Sequence, residues 1–105
     1  FIHLQRGDVV LQNAANSGVG QAVIQLCKAY GYKSVNIIRD RPDAEIVMDA
    51  LYDMGANLVI QESQVRTDET AEKIASLSSF GPKLAFNGVG GKSATNLARI
   101  LGYVF

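Results

Sequence analysis

The chain has 105 residues, 48% of them hydrophobic and 19% charged, with ten acidic side chains balanced by ten lysines and arginines. That length suits one domain, and the balanced charge leaves no net field to steer nucleic acid or an anionic membrane. No apolar run approaches the roughly 18 residues of a membrane span.

In chain order, residues 8–12 form a short apolar run after the Arg6-Gly7 turn and predict a buried strand. The segment "QNAANSGVGQ", residues 12–21, follows as a loop. Val19, Ala22, Val23, Leu26, Cys27 and Tyr30 then repeat at helical spacing up to Gly31, predicting a helix that rests on this stripe. Residues 34–39 read as a second strand. Pro42 sits where a first helical turn accepts proline, and Ile46, Val47, Ala50, Leu51 and Met54 carry a second helix to the Gly55 stop. A third strand over 57–60, a weaker helix over 68–79, a fourth strand over 83–87 and a second glycine loop, Gly88-Val89-Gly90-Gly91, come next. The last helix presents Ala94, Leu97, Ala98 and Leu101, and residues 101–105 read as a fifth strand beginning. With no initiator Met and no signal-peptide pattern at residues 1–4, we expect a piece of a longer protein.

Short strands alternating with helices of ten to thirteen residues call for an α/β fold: a Rossmann-like, doubly wound parallel sheet, here incomplete at about five strands and four helices. In that layout phosphates bind at the first strand-to-helix turn, where "NAANSGVG" falls. Aligning the last glycine of the G-x-G-x-x-G fingerprint on Gly20 places Ala15 and Ser17 at the other two glycine positions, with an extra glycine at Gly18. Both substitutes are small, so close approach to a pyrophosphate stays open, and Ser17 adds a hydroxyl donor. The helix beginning near Gly18 offers free N–H groups and its positive dipole end. A strand-to-helix turn capped by Asn16 or Ser17, binding nothing, satisfies the same residues.

A second feature bears on that choice. In an NAD-binding unit a carboxylate about 20 positions on, at the end of the second strand, holds the ribose 2′-hydroxyl. Here Arg39 lies 19 positions after Gly20, within Arg39-Asp40-Arg41. Guanidinium groups offer forked, charge-assisted donors to a 2′-phosphate, so the pattern points to NADPH rather than NADH. On the alternative reading both arginines are solvated surface charges and Asp40 caps the helix that Pro42 begins. Other residues carry no site. His3 has no partner base or nucleophile, Cys27 has no partner for a disulfide and falls on the apolar stripe, and no cluster has metal-ligand spacing. Asp43, Glu45 and Asp49 suit a helix opening. Lys92 and Ser93 do not complete a P-loop, because Phe86 occupies its first glycine position.

Together "GDVVLQNAANSGVGQAVIQL", "NIIRDRPD", "MGANLVI" and "LAFNGVGGKSATNLARIL" closely resemble the mitochondrial trans-2-enoyl-CoA reductases, or 2-enoyl thioester reductases, of the zinc-free branch of the medium-chain dehydrogenase/reductase superfamily. "NSGVGQ" and "RDRPD" are the most specific pieces. The resemblance implies that Asn16, Ser17, Gly18 and Val19, with Gly20 of the fingerprint, line the NADPH pyrophosphate, that Arg39, Asp40 and Arg41 surround the 2′-phosphate, and that Asn87, Gly88, Val89 and Gly90 lie beside the cofactor. It implies residues 1–105 to be an NADP-binding domain fragment of a mitochondrial enzyme that reduces the C2=C3 bond of enoyl-CoA or enoyl-acyl-carrier-protein in fatty-acid synthesis. The catalytic tyrosine and most of the acyl pocket would lie in another domain, and the parent would be a homodimer. Within the superfamily an NADPH-dependent quinone oxidoreductase is the alternative, and a non-catalytic scaffold on the same fold is the alternative of another class. No nucleic-acid or membrane partner is expected.

Overall fold

The computed structural model describes residues 3–101, without the side chains of residues 98, 99 and 101. Four strands, β1 (Val9–Gln12), β2 (Lys33–Ile38), β3 (Leu58–Gln61) and β4 (Pro82–Phe86), alternate with four helices, α1 (Gly18–Tyr30), α2 (Ala44–Asp53), α3 (Asp68–Leu77) and α4 (Gly91–Leu101). A 3₁₀ turn, Glu62–Gln64, follows β3. All strand pairs are parallel and the order is β3-β2-β1-β4. The predicted α/β doubly wound architecture is therefore the observed one. Of the expected fifth strand, Leu101 ends α4 instead, and the other four residues lie outside the described ones.

Strands β1, β2 and β3 are buried on both faces because helices cover both sides of the sheet there, whereas the edge strand β4 has no fully buried residue. Val9, Leu11, Val35, Ile37, Leu58 and Ile60 pack with Ile74 of α3 and Leu97 of α4. On the opposite face Ile38 and Val59 meet Ile24 of α1 and Ala44 and Leu51 of α2. That second face also carries buried polar groups. Gln12 donates through Nε2 to Asn36 Oδ1 (2.8 Å) and to the Gly20 carbonyl (2.9 Å), while Asn36 Nδ2 reaches Ser34 Oγ and the Leu58 carbonyl, both at 3.0 Å. Among the described residues no buried side-chain polar atom lacks a partner. This amide chain ties three strands and α1 together.

Several expected faces are corrected. The helix α1 buries Gly20, Ile24 and Cys27, whereas Val19, Leu26 and Tyr30 are exposed, Val19 by 77%. The observed seam lies one residue along from the expected stripe, a rotation of about 100°. The cause is steric. Gly20 lets α1 approach the β1 turn so closely that a Cβ there would stand 2.4 Å from the Ala15 carbonyl oxygen, and that contact fixes which side faces the sheet. Tyr30 stacks on Tyr32 at 5.9 Å rather than entering the core. In α2, Ile46 and Ala50 face outward, and Ala44 and Leu51 make the buried contacts. Pro42 lies in the turn before α2, not in its first turn, and α3 stops at Leu77.

Candidate functional site

The site gathers at the C-terminal ends of β1, β2 and β4, three neighbours in the sheet. After β1 the chain turns sharply: Ala14 adopts a left-handed backbone (φ 50°), a conformation that costs an L-residue roughly 1–2 kcal/mol. The Ala15 N–H reaches across to the Ile37 carbonyl at 3.2 Å, pinning the turn to β2. Ser17 then caps α1, its Oγ accepting from the Gly20 N–H at 3.1 Å. Because that bond uses a lone pair, the hydroxyl proton stays available for an anion. The N–H groups of Gly18 and Val19, in the first turn of α1, have no intrahelical acceptor.

Capping does not consume the donor: Ser17 caps α1 through a lone pair and keeps its hydroxyl proton. A cleft of about 440 Å³ opens beside it, lined by Ala14, Asn16, Ser17, Arg39, Arg41, Gly88 and Val89. Four of the residues singled out from sequence, Asn16, Ser17, Arg39 and Arg41, therefore share one cavity with the second glycine loop. Gly18 and Val19 open α1 beside it. Gly20 does not line it. Its place against the Ala15 carbonyl is the close helix–strand packing that the last fingerprint glycine provides.

Asp40 is turned to other work. Its Oδ1 accepts from the Ser63 N–H at 3.0 Å in the 3₁₀ turn, and bonding from Ser63 holds its carboxyl below the usual range. It bonds into that turn, whose own N-cap is Gln61, rather than capping α2, whose N-cap residue is Asp43. Arg41 forms a fork with Asp43, Nε to Oδ1 at 2.5 Å and Nη2 to Oδ2 at 3.1 Å. The fork holds the Asp43 carboxyl below its ordinary value and raises the guanidinium further. Both partners are well exposed, so the pair is worth little in stability. Among the described residues Arg39 has no ionic partner.

Sequence reasoning missed Asn13, Glu62 and Ser93. Asn13 is buried behind the cleft and bonds to Asn87, Gly88 and Ser93, and Ser93 in turn donates to Glu62. Position alone held the signal: a polar residue directly after a buried strand has to find partners. Cys27 is buried, and burial pushes its thiol up, which disfavours the thiolate. Among the described residues no group of three His, Cys, Asp or Glu is placed to hold a metal, and no helix is long and apolar enough to cross a membrane. A larger cleft of about 590 Å³ lies between α3, α4 and the start of β4. Neither Arg39 nor Arg41 lines it, and Arg66 on its wall is bonded to Asn96.

No protein-family model matches the chain. Over 101 residues, 96% of its length, it is 52% identical to the mitochondrial enoyl-[acyl-carrier-protein] reductase of Rattus norvegicus and 48% identical to that of Homo sapiens. The chain spans 26% of the length of each of these relatives. Among solved structures, the mitochondrial 2-enoyl thioester reductase Etr1p/Etr2p heterodimer from Candida tropicalis superimposes with a TM-score of 0.86 at 37% identity, covering 96% of this chain and 29% of that one. A complex of Etr1p with NADP and crotonyl-CoA matches equally well in fold at 38% identity. An NADPH:quinone reductase from Bacillus thuringiensis follows at a TM-score of 0.74 and 30% identity, covering 93% of this chain and 28% of that one. The resemblance read from the sequence motifs therefore holds across almost the whole chain, in sequence and in fold.

Proposed function

We propose that this chain, alike in sequence and fold to the mitochondrial enoyl reductases, is the NADP-binding portion of an NADPH-dependent enoyl thioester reductase. The parent protein would reduce the C2=C3 bond of a trans-2-enoyl-CoA or enoyl-acyl-carrier-protein in mitochondrial fatty-acid synthesis, working as a homodimer. The observation that carries this reading is the shared cleft, in which Asn16 and Ser17 of the first turn face Arg39 and Arg41 at the end of β2. The relatives' names and the NADP complex of Etr1p support it.

The residues present suit the cofactor. Ser17 keeps a free hydroxyl proton, α1 directs its first N–H groups and dipole toward an anion, and Gly20 lets that helix end sit close to the turn. Arg39 and Arg41 would grip the 2′-phosphate, and Ala14, Gly88 and Val89 give small or apolar walls against which a ribose can lie. NADPH supplies the hydride when bound. This chain's contribution is to bind and orient it, with substrate polarisation coming from elsewhere in the parent.

The reading is tested with the full-length protein, NADPH and crotonyl-CoA, with a simple quinone as competing acceptor. NADPH oxidation driven by crotonyl-CoA, with butyryl-CoA as product, is expected. Oxidation by the quinone alone would favour the quinone reductase, and NADPH binding without turnover of either acceptor would favour the scaffold.

A further inference from the structure

Asn13, the residue that follows β1, is only 3% exposed, yet it organises one wall of the cleft from behind. Its Nδ2 donates to Asn87 Oδ1 and to Ser93 Oγ, each at 2.9 Å, and its Oδ1 accepts from the Gly88 N–H at 2.6 Å. Asn87 Oδ1 also gathers the N–H groups of Val89 (3.1 Å) and Gly90 (2.9 Å). Two amide oxygens thus shape the 87–90 loop, Asn87 Oδ1 for Val89 and Gly90 and Asn13 Oδ1 for Gly88, and the Asn13 side chain ties both to the end of β1. Behind it, Ser93 donates to Glu62 Oε2 at 3.2 Å and Asn96 Nδ2 to Oε1 at 3.1 Å, extending the bracket to the turn after β3.

The sheet order tells which part of a dinucleotide this wall would meet. β2, with the arginines, and β4, with the 87–90 loop, flank β1 on opposite sides. A dinucleotide held by its 2′-phosphate at the end of β2, with its pyrophosphate over the α1 N-terminus, has its other half directed toward β4. We propose that Asn13 is a positioning residue for the nicotinamide half of NADPH: it never touches the ligand, but holds Gly88 and Val89 where that half must rest. The proposal rests on the cofactor reading above.

The test titrates the full-length protein with NADPH and, separately, with adenosine 2′,5′-bisphosphate, which carries the 2′-phosphate and adenosine but no nicotinamide. In Asn13→Ala the bonds to Asn87 and Gly88 are lost, and NADPH affinity should fall by about ten-fold or more, the scale of two or three lost hydrogen bonds. Bisphosphate affinity should stay within about two-fold, the scale of a single weak contact. Asn87→Ala, on the exposed side of the same bond, should give the same split and keeps the test valid if the Asn13 variant does not fold. NADPH affinity at the wild-type level in either variant overturns the proposal, as does a parallel loss of both ligands, which is the mark of general damage to the fold. A wild-type protein that binds neither ligand instead refutes the cofactor reading itself.

Discussion

Arg39 and Arg41 lie two positions apart and face the same cleft, but only Arg41 is shared with a carboxylate. Arg39 is therefore the ready donor, whereas Arg41 has to leave Asp43 or divide its fork. Asp43→Asn should release it and raise NADPH affinity by about two- to five-fold, the worth of an exposed ion pair, as read by titration calorimetry. The sign of the acid dependence follows from the depressed Asp43 value: the fork's contribution is complete above the ordinary value of 3.8 and is lost as pH falls through the lower folded value. Carboxyl NMR titration should place Asp43 below 3.8, and Arg41→Ala should return it toward that value. Ala14 was not legible at this scale. Its residue type argues against a left-handed backbone, and aligning the fingerprint drew attention to Ala15 and Ser17 instead. Ala14→Gly should relieve the turn and raise stability by up to about 1 kcal/mol in denaturant unfolding, and a loss of stability would show that the Ala14 methyl contributes more than the strain costs.

At the level of elements, the strand and helix order was readable because apolar runs, helical spacing and the glycine stops at Gly31 and Gly55 agree with one another. Which face of α1 meets the sheet was not. Large apolar side chains at Val19, Leu26 and Tyr30 outweigh Gly20 in any pattern, yet the buried seam is Gly20, Ile24 and Cys27, of which only Cys27 belongs to the expected stripe. Gly20→Ala should be severe, because the added methyl meets fixed backbone: a loss of about 2–3 kcal/mol is expected by chemical denaturation, the upper range for overpacking. The strands concealed a second feature, the buried amide chain, since a lone Asn within an apolar run looks like noise. Asn36→Ala would leave Gln12 Nε2 without one of its two acceptors and the Leu58 carbonyl without the Asn36 donor. Roughly 1–3 kcal/mol should be lost, and a neutral result would mean that the neighbouring groups re-pair.

Across the whole molecule, parallel strands in the order β3-β2-β1-β4 bring turns that are distant in sequence to one edge of the sheet. That is why residues near 16, 40 and 88 line a single cleft, and why the first two clusters could be paired from sequence by their spacing alone. The third had no spacing signal and was expected there only through the family resemblance: the 87–90 loop reaches the cleft because β4 lies beside β1, and its bracket through Asn13 and Ser93 links positions 80 residues apart. The measurement that bears most directly on the cleft as an NADPH site is parallel titration of the full-length protein with NADPH and NADH, repeated on the Arg39→Ala, Arg41→Ala double variant. NADPH should bind more tightly by about 100-fold or more, as charge-assisted bonds to the extra phosphate require, and the double variant should lose most of that preference while still binding NADH. Equal affinity for the two cofactors in the wild type, or a preference that survives loss of both arginines, would contradict it.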